Sequence, residues 1–269
     1  MLLRAELTVR TLKSDFCVSL RRVDFLGVPL CSLTTGEFIE CLISETLARR
    51  GKPNAKPFFV TYLNAACSNI SAHDEEYRRI LHKADIVYAD GQAIVWASRW
   101  LKAGVPERVN AADFFLEFCK RAADENLALY LLGSALGVAP GAASRFVSEV
   151  RHLNICGADS GYFTDDEEVL ERIRNASPDI LIVGMGVPRQ EKWVFRNIDK
   201  LDARSVWCVG ALFEYYSGYR LRAPVWMRKA GLEWLFRLVL EPKRLWRRYL
   251  IGNAVFLWRV ATRVWANFS

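Results

Sequence analysis

The chain has 269 residues, 52% of them hydrophobic and 25% charged, with a formal net charge of +7. That length fits one large domain, or a domain with an appendage, burying roughly 70–75% of its unfolded surface, and the apolar fraction excludes disorder over most of it. The charge is uneven: residues 219–269 hold eleven Lys or Arg against two acids, a net +9 that leaves −2 on the first 218, and they also hold five of the nine Trp.

In chain order, residues 1–22 have weak pattern and read as a flexible arm. Residues 23–33 look like a strand leading to a turn. Helical period then covers 35–49, with Phe38, Ile39, Leu42, Ile43 and Leu47 on one side and Thr34 or Thr35 as cap. A polar loop with Gly51, Pro53 and Pro57 leads to a short apolar strand at 58–63. The spacing predicts helices at 65–82, 92–102, 111–125, 139–150, 165–175 and 190–199. It predicts strands at 86–88, 127–132, 153–156, 179–183 and 205–209. Short apolar strands alternating with such helices imply an α/β, Rossmann-like parallel sheet flanked by helices, with right-handed crossovers.

The catalytic α/β domain is expected over 23–218. A basic, Trp-rich helical C-terminal appendage follows over 219–269, with two or three amphipathic helices after Pro224 and Pro242 at a junction. Such a tail points to an anionic partner. Arg237, Arg244 and Arg247, spaced i, i+7, i+10, would lie near one face if helix were continuous. They suit a diphosphate or anionic headgroups, and the interleaved Trp226, Trp234, Trp246 and Trp258 suit a membrane interface. An ordinary packed subdomain with a solvated basic face is the alternative. Nucleic acid is not expected, since no recognised fold signature accompanies the charge.

The seven Cys are odd in number and contain no CxxC, so they read as buried reduced thiols of a cytosolic protein. Neither a zinc site nor an Asp-x-Asp pair for a metal-bound nucleotide is present, so no metal and no cofactor are expected. The N-terminus lacks the continuous apolar core of a signal peptide, and no stretch reaches the roughly 20 apolar residues that span a bilayer. His73, His82 and His152 form no constellation.

Several blocks carry the chemistry. They are Tyr88-Ala-Asp90-Gly91; Glu107-Arg108-Val-Asn110-Ala-Ala-Asp113; Gly184-Met-Gly186-Val-Pro188-Arg-Gln190-Glu191-Lys192-Trp193; Val209-Gly210-Ala-Leu-Phe213-Glu214; and Arg222-Ala-Pro224-Val-Trp226. Gly231-Leu-Glu233-Trp234, Glu241-Pro242, Arg244 and Arg247-Arg248-Tyr249-Leu250 follow. In this order and spacing, over about residues 24–252, the chain resembles the WecG/TagA/CpsF family of bacterial glycosyltransferases. The Gly184–Trp193 block is the most specific part.

The resemblance implies an inverting, metal-independent transfer of a sugar from a UDP-sugar to an undecaprenyl-diphosphate-linked saccharide in surface polysaccharide synthesis. The sugar would be of the N-acetylmannosamine type, its uronic acid or a related hexose. The protein would be cytoplasmic and peripheral on the inner face of the membrane, held there by the appendage, with a homo-oligomer left open. Asp90, at a strand end beside Gly91, suits a general base, although locally it reads as readily as a turn or helix-cap aspartate. Arg108 is the second catalytic candidate, able to hold a phosphate bidentately, or else a surface partner of Glu107. Gly184 and Gly186 form a turn before a helix where backbone N–H groups can hold a diphosphate, or simply a tight turn. Gln190 and Glu191 complete that nucleotide-sugar set, with Gly133 and Ser134 as a second phosphate or ribose site and Asn64 at the end of strand 58–63. Arg237, Arg244 and Arg247 would hold the lipid diphosphate. Two departures stand out: Tyr62 falls where the family has Thr, with Thr61 one residue earlier, and Glu214 replaces a common Asp. A non-catalytic peripheral scaffold keeping the fold is the rival reading; a nicotinamide enzyme is not expected without Gly-x-Gly-x-x-Gly.

Overall fold

The computed structural model describes residues 20–52 and 55–266. The arm predicted over 1–22 lies largely outside them. At its end an antiparallel hairpin forms from β1 (Arg22–Phe25) and β2 (Val28–Cys31). Then come α1 (Thr35–Ala48), β3 (Phe58–Leu63), α2 (Ala65–His73), α3 (Glu75–Lys83), β4 (Ile86–Ala89), α4 (Gln92–Trp100) and α5 (Ala111–Asp124). They are followed by β5 (Ala128–Gly133), α6 (Val138–Glu149), β6 (Asn154–Asp159), α7 (Asp166–Ala176), β7 (Ile180–Gly184), α8 (Arg189–Asn197), β8 (Ser205–Cys208) and α9 (Leu212–Tyr216).

Local chemistry explains these boundaries. Thr34 caps α1 in a capping box, accepting from the Glu37 backbone N–H while Glu37 Oε2 accepts from the Thr34 N–H at 2.7 Å. The single helix predicted over 65–82 is two. Asp74 interrupts it with extended backbone (φ −110°, ψ 98°), and its carboxylate accepts from the Tyr77 N–H at 2.9 Å to start α3.

Six strands form one parallel sheet in the order β4-β3-β8-β7-β5-β6. The strands β3, β4, β7 and β8 are buried throughout, as a sheet covered on both faces requires. The core centres on Trp207 of β8, fully buried. Phe38, Phe115 and Phe118 lie 5.1, 5.7 and 5.1 Å from it, and its Nε1–H donates to Tyr88 Oη at 3.1 Å. Each such side chain contributes about 1.5–3 kcal/mol by burial.

The C-terminal segment continues as α10 (Val225–Lys229), α11 (Glu233–Leu240), α12 (Pro242–Trp246), a π-helical turn (Arg247–Ile251) and α13 (Gly252–Ala266). Pro242 is the first residue of its helix, where its missing N–H costs nothing. The segment is packed on the body. Phe256 and Val260 of α13 are 1% exposed and belong to the main core, and Phe256 stacks on Phe25 at 6.4 Å. Gly252 O accepts from Asn69 Nδ2 at 2.7 Å, and Arg259 donates to Ser68 O at 2.6 Å. No helix among the described residues is long and apolar enough to cross a membrane. Cys31, Cys67, Cys119, Cys156 and Cys208 are free thiols. Cys17 lies outside the described residues.

Candidate active site

Parallel strands deliver their carboxyl ends to one edge of the sheet, where ligands of open α/β folds bind. A cavity of about 790 Å³ opens there, walled by the sheet edge on one side and the C-terminal segment on the other. The register sets its floor. Leu63 of β3 pairs with Ala89 of β4, so the next residues, Asn64 and Asp90, emerge side by side. Gly133 of β5 pairs with Gly184 of β7, so Ser134 and Met185 follow together. Of these, Asn64, Asp90, Ser134, Gly184 and Met185 line the cavity.

Asp90 sits in the floor with its carboxylate held from two sides. Asn110 Nδ2 donates to Oδ1 at 2.6 Å, and Asn64 Nδ2 approaches Oδ2 at a long 3.5 Å. Asn64 is fixed in turn by capping α2, its Oδ1 accepting from the Cys67 N–H at 3.0 Å. Gly91 caps α4 with φ +113° and lets that helix start directly beside the carboxylate. Burial raises the Asp90 carboxyl above the usual carboxylate value and Glu233 adds to the rise, while Arg108, Asn110 and Asn64 oppose it. The result is a carboxylate whose affinity for a proton is enhanced where a ligand can reach it.

Arg108 also lines the cavity and pairs with Asp113 and, at 3.5 Å, Glu233. Glu107, its sequence neighbour, instead accepts from the Thr35 N–H at 2.6 Å. On the other flank the Ser134 N–H donates to Gly184 O at 2.9 Å, while its buried hydroxyl has no partner. That hydroxyl is free to meet a ligand. Gly186, with φ +82° and open space where a side chain would stand, follows β7 and precedes α8. Arg189, on the first turn of α8, donates to Gly161 O at 2.5 Å and lies over the Tyr162 ring at 5.2 Å.

Four of the proposed ligand contacts stand outside the lining. Gln190 and Glu191 are 0% exposed. The Gln190 Oε1 accepts from the Gly210 N–H at 3.1 Å, and its Nε2 donates to Glu191 Oε1 at 2.7 Å. They therefore brace the Gly210 turn, which does line the cavity. Gly133 packs against β7; a Cβ there would stand 2.4 Å from Gly184 O. Arg247 projects outward over the Trp246 ring at 5.3 Å, whereas Arg237, Arg244 and Arg248 line the cavity. The reason is geometric. The helix is not continuous between them: Glu241 breaks it (φ −133°, ψ 59°) and Arg247–Ile251 form a π-helical turn, so the i, i+7, i+10 spacing does not carry Arg247 to the face of Arg237.

Sequence reasoning also passed over Tyr62, Trp96, Arg220, Glu233, Trp234 and Tyr249 as cavity residues. Tyr62 alternates with Thr61 along β3: Tyr62 faces the cavity and Thr61 points away, donating to Glu191 Oε1 at 2.8 Å. Glu214 lines the cavity 3.0 Å from Arg220; burial raises its carboxyl, while Arg220, Arg244 and Arg237 oppose the rise. Its Gly-Ala-Leu-Phe-Glu position at the end of β8 was the available signal. Among the described residues no group of three or more His, Cys, Asp or Glu could hold a metal ion.

A floor with a half-buried, amide-held carboxylate and a roof of arginines can take a proton from a hydroxyl and stabilise a phosphate leaving group in the same cavity. Two curated relatives, from Staphylococcus aureus strains MRSA252 and NCTC 8325 / PS 47, are each named N-acetylglucosaminyldiphosphoundecaprenol N-acetyl-beta-D-mannosaminyltransferase. Each is 29% identical over 242 residues, 89% of this chain and 92% of the relative. The profile of the Glycosyl transferase WecG/TagA/CpsF family matches residues 23–268, and the chain belongs to that family.

Proposed function

We propose that this glycosyltransferase moves an N-acetylmannosamine-type sugar from its UDP conjugate to an undecaprenyl-diphosphate-linked N-acetylglucosamine, with inversion and without a metal. The observation that carries the reading is Asp90: a half-buried carboxylate, raised in proton affinity, on the floor of the cavity that also gathers Arg108, Arg237, Arg244 and Arg248. The acceptor hydroxyl gives its proton to Asp90 as its oxygen attacks the anomeric carbon. The bond from that carbon to the UDP oxygen breaks on the opposite face, which inverts the centre. UDP leaves with added negative charge, met by the backbone N–H groups of the Gly184–Gly186 turn, the Ser134 hydroxyl and guanidinium groups that remain charged at any working pH. The donor would lie along β5 and β7, and the lipid diphosphate under Arg237, Arg244 and Arg248.

A lipid-anchored acceptor together with a cytoplasmic UDP-sugar would bring the reaction to the inner face of the membrane, where the C-terminal segment would rest. Trp226, Trp258 and Trp265 are 65%, 67% and 76% exposed, amphipathic side chains suited to that boundary. The test is incubation with UDP-N-acetylmannosamine and a short-chain lipid-diphosphate N-acetylglucosamine, with the anomer of the product read by NMR. A β-linked disaccharide from the α-linked donor supports the reading. Retention refutes the inverting mechanism, and no turnover with any UDP-sugar refutes the activity and favours the non-catalytic scaffold.

A further inference from the structure

Asp90 is oriented by Asn110, and what orients Asn110 comes from the C-terminal part of the chain. An amide side chain has one accepting and one donating end. Asn110 Oδ1 accepts from Arg222 Nη2 at 3.2 Å, while its Nδ2 donates to Asp90 Oδ1 at 2.6 Å. Only this orientation satisfies both neighbours, because a guanidinium offers no acceptor and an ionised carboxylate no donor. Arg222 is itself held on several sides. It donates to Ala112 O at 2.6 Å and to Asp113 Oδ1 at 2.6 Å, and lies over the Tyr215 ring at 5.8 Å. Arg228 of α10 shares Asp113 and also donates to Ala223 O at 3.1 Å. Arg222 does not line the cavity. It follows α9, at the point where the chain leaves the sheet edge for the helices that roof the site.

We propose that Arg222 is a positioning residue: it commits the Asn110 carboxamide to present its nitrogen to Asp90, and so ties the docking of the C-terminal segment to the readiness of the base. The proposal rests on the reading of Asp90 as that base. Without Arg222 the amide can turn its oxygen toward Asp90, an arrangement that repels the carboxylate but accepts a hydrogen bond from the protonated acid. The protonated form then gains and the base is lost at higher pH. The other charged and titratable groups that influence Asp90 or its surroundings are Arg108 and Glu233, with Tyr62 and Tyr88 beside it. Arg222 additionally has Glu233 within 4.0 Å.

The experiment titrates the Asp90 carboxyl by ¹³C NMR, assigned by its disappearance in Asp90→Asn, in the full chain and without substrate. Arg222→Gln raises the midpoint by roughly one pH unit, a tenfold change in proton affinity. The acid limb of kcat/KM moves with it, and KM for the donor stays within twofold. Arg222→Lys keeps the charge but not the fork geometry and shifts it by less; it serves in the same cycle should the Gln variant not fold. Asn110→Leu raises the midpoint by itself, and adding either Arg222 substitution to it raises it no further. An unmoved midpoint in the Arg222 variants overturns the proposal. So does a shift that persists in full on the Asn110→Leu background, which is a direct charge effect. Full activity of Asp90→Asn alongside the expected shifts would instead refute the base assignment and leave the positioning role standing.

Discussion

Glu191 offers a quantitative test of how the site is braced. Its carboxyl is fully buried, accepts at Oε1 from Thr61 and Gln190, and has no partner at Oε2. Burial, opposed by the two hydrogen bonds, pushes its pKa from 4.5 up to about 7. The folded state therefore holds this proton more tightly than the unfolded chain, and stability falls as pH rises between those values. The difference of about 2.5 units corresponds to about 3 kcal/mol, lost progressively from about pH 4.5 to about pH 7 and constant above. Glu191→Gln removes the titration while its amide oxygen can still accept from Thr61 and Gln190. Its amide nitrogen would stand unpaired where Oε2 is, at a pH-independent cost of about 1–3 kcal/mol. Urea unfolding of both proteins at intervals from pH 5 to pH 8 is the assay. The wild type should lose about 2.5 kcal/mol more than the variant across that range, the remainder having been lost below pH 5. Parallel stability curves would show that Glu191 does not titrate in this window.

Four further outcomes are expected. Arg248→Ala should lower transfer to the lipid-diphosphate acceptor by about 10–100-fold, the value of a charge-assisted hydrogen bond, while Arg247→Ala leaves it nearly unchanged; equal losses in initial-rate assays would contradict the cavity geometry. Arg244→Lys should keep liposome binding but reduce acceptor turnover, because one ammonium cannot replace a bidentate guanidinium; full activity would make Arg244 a membrane anchor only. Replacing Trp226 and Trp258 by Ser should weaken flotation with anionic liposomes without changing the melting temperature, since both rings are exposed; unchanged flotation would move the membrane contact elsewhere. Transfer should continue in EDTA, the arginines serving the role a divalent ion would otherwise fill; loss of activity restored by Mg²⁺ or Mn²⁺ would refute this.

The sheet was legible because its strands are short apolar runs punctuated by Gly, Asn or Asp, a pattern set by burial on both faces. Strand β3 was read to the residue. The break at Asp74 was not, since the apolar period continues through it and only the cap geometry reveals the second start. Asp90, Asn64 and Ser134 were legible as polar residues at strand ends, because parallel topology sends every strand end to one edge. Gln190 and Glu191 look identical in sequence whether they touch a ligand or brace a turn; helix phase after an irregular Gly-rich loop decides, and the loop hides that phase. Arg247 and Arg248 differ by one residue, and a spacing argument that assumes continuous helix does not tell which of them turns toward the cavity once a break at Glu241 and a π-helical turn intervene. The C-terminal segment was read from its charge as an appendage with its own partner. Its packing through Phe256 and Val260 into the main core sets Phe256 against Phe25 of a hairpin, β1–β2, more than two hundred residues away.

The central claim is that Asp90 takes the acceptor's proton. Asp90→Asn preserves the size of the side chain and can still meet Asn110 and Asn64 through an amide oxygen, so its melting temperature should stay close to wild type while the rate of sugar transfer falls by about 10²–10⁴-fold. Transfer at the wild-type rate by a folded Asp90→Asn protein would contradict the account.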